Sequence, residues 1–179
     1  AIAGDKIDRV DRRIPATAKT VIDASGAVLC PGFIDLHNHT DLAALAYPYC
    51  ESHIMQGITT SVVGNCGLSM TPLEPRNLHL LKQYLGPFLP AGFDWGWDWR
   101  QSGEYHRRIE SSGLSMNMAP LSSQGSIRLA VRGFDSSESS PSEIEEMKRL
   151  LRDELEEGSW GMSAGLIYPP GCYAVTEEI

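Results

Sequence analysis

Two rhythms of apolar and polar residues alternate along this chain, one suited to strands and the other to helices. Apolar or β-branched runs at about 32–36, 59–63, 114–120 and 161–166 read as strands, bounded by glycine, proline or polar turn residues. The clearest helix spans Pro141–Glu157, where Ile144, Met147, Leu150, Leu151 and Leu155 fall on one stripe. Ser140 ahead of Pro141, with Glu143 following, predicts a capping box with proline at the first helical position, and Gly158 ends the helix. Its other face, with Glu145, Glu146, Arg149, Arg152 and Asp153, is solvated. A shorter helix near 48–56 bridges the first two strands. From Pro31 onward strands and helices alternate, the order of an α/β fold. Residues 1–30 carry only short β-prone pieces and turn signals.

The first of these strands delivers two histidines at its end, in Phe33-Ile34-Asp35-Leu36-His37-Asn38-His39. In extended backbone, residues two apart share a face, so both imidazoles aim at one point. Neutral imidazole is a common transition-metal ligand, and two at this spacing make half a site. Solvated loop histidines are the plain alternative for an isolated His-x-His. The second strand runs into the glycine-punctuated turn Gly64-Asn65-Cys66-Gly67, with a thiol at its tip. Thiolate suits zinc. Cys30, Cys50 and Cys172 read instead as small buried hydrophobes. His53, His79 and His106 read as packing or surface histidines. Asp35 and Asp41 are placed to orient a liganding histidine rather than to act as a base.

Taken together, these residues resemble the amidohydrolase superfamily, and within it the D-aminoacylase (N-acyl-D-amino-acid deacylase) group. The resemblance rests on three blocks in order: Val21–Cys30 leading into His37 and His39, the turn Gly64–Gly67, and Gly161–Pro170 followed by Thr176–Ile179. It implies the first half of a metal-dependent (β/α)8 TIM barrel over residues 31–179, preceded by part of a small appended β-sandwich over residues 1–30. It implies zinc, one or two ions, on His37, His39 and Cys66, and it places Tyr168 beside the substrate. Two further histidines and a general-base aspartate are implied beyond Ile179, leaving no catalytic base in this chain. Gln124 departs from the pattern, standing where many relatives carry histidine.

Size agrees with a partial barrel: the fold takes eight strand-helix units and about 250 residues, and this chain of 179 residues supplies four such units, about half. The expected partner is therefore the rest of the barrel, in the same or a companion chain, and the 179-residue piece alone is expected to be inactive. A net charge of −8 argues against nucleic acid as a partner. No apolar run approaches the ~20 residues that would span a membrane. Four cysteines without a Cys-x-x-Cys pair fit a reducing cytoplasm. Trp95, Trp97 and Trp99 fit either a ligand platform or packing over a barrel mouth, and packing is the commoner use.

The implied reaction is hydrolysis of an N-acyl-D-amino acid to a D-amino acid and a carboxylic acid. Hydantoinase-like and dihydroorotase-like amidohydrolases remain as alternatives, although many of them use a lysine from the fourth strand and 160–168 has none. A non-catalytic fragment or pseudoenzyme serving in binding or assembly is the alternative of a different class.

Overall fold

The computed structural model describes residues 1–15 and 17–179. The chain divides into two compact units, Ala1–Pro31 and Gly32–Ile179. In the first, β1 (Ile2–Ala3) and β2 (Lys6–Ile7) pair antiparallel, and no second layer of strands forms among the described residues. Its apolar side chains Val10, Val21, Ile22, Val28 and Leu29 are exposed. Cys30 is exposed too, contrary to the buried reading, because this unit has no core to receive it.

The second unit is built on parallel strands. β3 (Phe33–Asp35) pairs with β4 (Ile58–Val63), and β4 pairs with β5 (Asn117–Pro120). β6 (Ser122–Ser123) continues the line of β5 and pairs parallel with β7 (Met162–Ser163). The Trp160 amide donates to the Pro120 carbonyl and the Ser122 amide to the Gly161 carbonyl, fastening β7 beside this line. The four strand positions match the sequence pattern, in sequential and parallel order. The fourth is shorter than expected, since only Met162 and Ser163 pair before the chain turns away through Gly165. No closed barrel forms among the described residues; the sheet is open at β3 and at β7.

Parallel strands need long crossovers, and helices supply them here. α1 (Glu51–Ile54) is a single turn, shorter than the apolar pattern at 48–56 suggested. α2 (Leu78–Leu85) and α3 (Ser102–Ser111) lie in the long insertion between β4 and β5. α4 (Gln124–Arg132) and α5 (Pro141–Glu156) follow. α5 carries the expected capping box: the Glu143 amide donates to Ser140 Oγ, and the Ser140 amide donates to the Glu143 carboxylate.

The stripe of α5 is only partly core. Met147 and Leu150 are buried, whereas Leu155 is 42% exposed and Glu154 is 1% exposed. The helix rotates Glu154 inward because the chain offers it partners: it accepts from the Thr71 hydroxyl at 2.7 Å and from the Ser102 amide at 3.2 Å. Burial nevertheless pushes its carboxyl up to about 7.

The main core lies in the insertion rather than on the sheet. Leu42, Leu68, Met70, Leu81, Leu85, Trp95, Trp99, Tyr105, Ile109 and Leu129 pack together. Trp99 stacks against Tyr105 with ring centroids 4.8 Å apart, and its indole N–H donates to the Met70 carbonyl at 3.0 Å. Trp97 lies 5.5 Å from Trp99, beneath the Lys82 ammonium. The tryptophan run is therefore packing, not an open ligand platform. By contrast Phe33, Ile34 and Leu36 of the first strand are 56%, 61% and 69% exposed, because β3 is an edge strand with no layer over it. Among the described residues no helix is long and apolar enough to cross a membrane.

Candidate metal centre

The residues following β3 and β4 bring three potential donors together. Ligand atoms of His37, His39 and Cys66 all lie within 4.8 Å of one another. His37 Nε2 is 3.0 Å from Cys66 Sγ. The two imidazoles are 6.1 Å apart, centroid to centroid, and nearly perpendicular, so they converge without stacking. Parallel pairing explains the meeting: Asp35 is in register with Ser61, and both strands then turn at the same end of the sheet.

Each donor sits in a different environment. His37 is exposed, and its backbone N–H donates to the Asp35 carboxylate at 3.1 Å. His39 is half-buried, and burial followed by the neighbouring His37 holds its pKa below the usual imidazole value. Its Nδ1 is buried and has no hydrogen-bond partner among the described residues. Cys66 occupies left-handed backbone, φ 57°, between Gly64 at φ 74° and Gly67 at φ 71°. A Cβ on Gly64 would come within 2.1 Å of the Leu121 carbonyl oxygen, so only glycine fits there.

The donor set suits a transition metal. Two imidazoles and a sulfur converge, and one ring nitrogen is buried without a partner, an arrangement that a bound cation would relieve. Neither nearby aspartate orients an imidazole as expected. Asp35 is taken by the His37 main chain instead. Asp41 is buried in the turn after His39, and burial pushes its carboxyl up to about 7. One of its oxygens has no partner among the described residues.

Tyr168 is half-buried, and its hydroxyl donates to the Cys66 carbonyl. Burial and the adjacent Cys66 raise its pKa, so the phenol stays neutral and remains a donor. Gln124 is turned to Glu178, to which its amide donates at 3.0 Å. His53 bonds the Thr40 hydroxyl at 3.1 Å, His79 is exposed on α2, and burial pushes His106 down to about 4. Cys50 is buried as expected, but Cys172 is exposed. A cavity of about 410 Å³, lined by His39, Asn38, Tyr47 and His53, opens beside the cluster. A larger one of about 550 Å³, lined by His106, Met116 and Trp160, includes none of the three donors.

Three side chains around the cysteine turn carried no sequence signal: Ser123, Ser163 and Tyr84. The Ser123 and Ser163 hydroxyls donate to the Gly64 carbonyl, and the Tyr84 hydroxyl donates to the Gly67 carbonyl. They arrive from β6, β7 and α2, so no local spacing could have grouped them.

A model of the amidohydrolase family matches residues 20–174. The chain belongs to the amidohydrolase family. Within it, the chain is 36% identical to an N-acyl-D-aspartate deacylase of Alcaligenes xylosoxydans xylosoxydans, covering 100% of this chain and 35% of that protein. Among solved structures it is similar to the N-acyl-D-glutamate deacylase of Bordetella bronchiseptica, complexed with zinc and a phosphonate inhibitor. That match has 34% identity and a TM-score of 0.72, over 87% of this chain and 31% of the other. A D-aminoacylase with a binuclear metal center matches at 34% identity and a TM-score of 0.68, over 83% and 30% of the two chains. The chain thus spans about a third of the length of the curated relatives it matches.

Proposed function

We propose that this amidohydrolase chain supplies part of a zinc site for hydrolysing the amide bond of N-acyl-D-amino acids, releasing a D-amino acid and a carboxylic acid. The observation that carries the reading is the convergence of His37, His39 and Cys66 within 4.8 Å, in a chain similar to N-acyl-D-amino-acid deacylases. In this reading residues 31–179 are the first four units of a (β/α)8 barrel, and residues 1–30 are part of an appended sandwich. The exposed edge at β3 and the uncovered Phe33, Ile34 and Leu36 support a further set of strands packing there. The remaining strands, from the same or a companion chain, would bring two histidines and the general-base aspartate. Four free cysteines are in keeping with a reducing cytoplasm.

His37, His39 and Cys66 would hold the zinc, one ion or the first of two. When bound, zinc supplies Lewis acidity toward an amide carbonyl and toward water. The residues of this chain position the reaction. Cys66 would contribute a compact sulfur donor on a turn that Ser123, Ser163, Tyr84 and Tyr168 bond from outside. His39 offers a ring that burial keeps neutral, the protonation state a ligand needs. Tyr168 lies against the Cys66 turn, where its ring forms a wall of the substrate site while its hydroxyl remains committed to the main chain.

The test is metal content by elemental mass spectrometry on the intact protein and on Cys66→Ala, prepared without chelator. One or two zinc ions per wild-type chain are expected, with a loss of more than about 100-fold in affinity and in D-selective deacylation for the variant. Absence of zinc from both proteins, or hydrolysis of N-acyl-L-amino acids in preference to the D series, would overturn the reading.

A further inference from the structure

A cysteine ligand is useful only if its backbone is held still, and the Cys66 turn is unfavourable by itself. A non-glycine residue in the left-handed region costs on the order of 1–2 kcal/mol. The turn Asn65–Gly67 carries no side-chain cap of its own. Its own bonds, Leu68 N–H to the Asn65 carbonyl at 2.9 Å and Asn65 Nδ2 to the Val62 carbonyl at 2.8 Å, leave the Gly64 carbonyl and the Gly67 N–H to partners from elsewhere.

One hydroxyl spans both sides of the cysteine. Ser163 Oγ donates to the Gly64 carbonyl and accepts from the Gly67 N–H at 2.9 Å. The other hydroxyls each touch one end only: Ser123 reaches Gly64 at 2.8 Å, Tyr84 reaches Gly67 at 3.0 Å, and Tyr168 reaches the Cys66 carbonyl. The chain following Ser163 is pressed onto the same turn. A Cβ on Gly165 would lie 2.0 Å from the Cys66 carbonyl oxygen, and one on Gly67 would lie 2.8 Å from the Gly165 amide. The segment from Ser163 to Gly165 is thus seated directly on the turn, and Ser163 is the only described residue that bonds both flanks of Cys66.

We propose that Ser163 is a positioning residue for the metal centre: its hydroxyl clips the Gly64–Gly67 turn shut and fixes the thiolate of Cys66 for zinc. The assignment rests on the zinc reading above. It makes the fourth strand a determinant of the ligand that follows the second. Metal sites lose performance when supporting groups let a ligand drift by about half an ångström, so the clip acts on affinity more than on overall stability.

The experiment compares Ser163→Ala with Ser123→Ala in the intact protein. Three readouts are taken: zinc dissociation constant by chelator competition, thiolate-to-cobalt charge-transfer absorption after cobalt(II) loading, and Tm. Ser163→Ala should weaken zinc binding about 10- to 100-fold and shift or reduce the cobalt–thiolate band. Ser123→Ala, which removes one of two donors to the same carbonyl, should change affinity less than about threefold and leave the band unchanged. Wild-type affinity and an unchanged band in Ser163→Ala would overturn the proposal, as would an equal loss in Ser123→Ala. If Ser163→Ala does not fold, Ser163→Gly is judged by the same thresholds. Failure of both to fold, with Ser123→Ala folded, would make Ser163 a folding residue and overturn the assignment. Absence of zinc from the wild type, or a cobalt–thiolate band that survives Cys66→Ala, would instead sink the zinc reading itself.

Discussion

The two strand ends that meet at the candidate metal centre are held in opposite ways. The turn after β4 is fastened from three sides by hydroxyls of Ser123, Ser163, Tyr84 and Tyr168, and it sits against the buried cluster of Leu68, Met70, Leu85 and Trp99. The end of β3 has little of this. His37 is exposed and Leu36 is 69% exposed. Apart from the His37 backbone bond to Asp35, the bonds at this end, between His37 Nε2 and Cys66 Sγ and from Asn65 Nδ2 to the Asn38 carbonyl, lean on the cysteine turn itself. The difference follows from sheet position. β4 is flanked on both edges and overlaid by the insertion, whereas β3 has a neighbour on one edge only. A ligand at an internal strand is prepared by its own chain; a ligand at an edge strand is prepared by whatever closes that edge.

Removing the support beneath the fastened end should have the largest effect. Trp99→Ala deletes a fully buried ring and its bond to the Met70 carbonyl, and should cost about 3–5 kcal/mol in denaturant unfolding. Gly165→Ala forces a methyl against the Cys66 carbonyl. It should cost about 1–3 kcal/mol and loosen zinc, and a variant with wild-type Tm and zinc content would show that the turn is not wedged.

The third case uses pH. Glu154 ties the segment after the cysteine turn to α5 through Thr71 and Ser102. Burial raises its folded-state pKa from 4.5 to about 7. The folded state therefore favours the protonated carboxyl: its contribution is complete below about 4.5 and is lost as pH rises through about 7. Glu154→Gln should gain on the wild type between pH 5 and pH 8, by roughly 1–3 kcal/mol at the upper end. His106 acts in the opposite sense, its contribution being present above 6.5 and lost as pH falls through about 4. It is common to both proteins, so it cancels from the difference in their Tm profiles. A difference that is flat with pH would refute the assignment.

The smallest effect is expected at the loose end. Leu36→Asn in this chain should change stability by less than about 0.5 kcal/mol, as for other exposed positions. In an intact barrel that buries Leu36, the same change should cost about 1–3 kcal/mol. Equal effects in the two settings would mean that nothing covers β3.

Much of the strand order was legible because it depends on local pattern. The runs ending at Leu36, Val63 and Pro120 and the capped helix from Pro141 read correctly from periodicity, glycine and capping residues. His37, His39 and Cys66 were legible as candidate donors because each follows a strand, and the structure brings their ligand atoms within 4.8 Å of one another. The reading failed where the answer depends on distant neighbours. The apolar stripe predicts Leu155 in the core, yet it is 42% exposed, and the helix buries Glu154 instead because Thr71 and Ser102 meet it there. Asp35 and Asp41 were expected to orient imidazoles, but backbone amides and burial claim them.

The sequence by itself determined the strand-and-helix alternation, the three candidate donors and the family. These follow from side-chain identity and short-range spacing, which fix local conformation and ligand chemistry. Only the tertiary structure decided that Ser163, Ser123, Tyr84 and Tyr168 converge on one cysteine turn, and that the tryptophan run is core. Those contacts join residues up to 102 positions apart. Their geometry depends on how parallel strands and the insertion pack, a property of the whole chain rather than of any one segment.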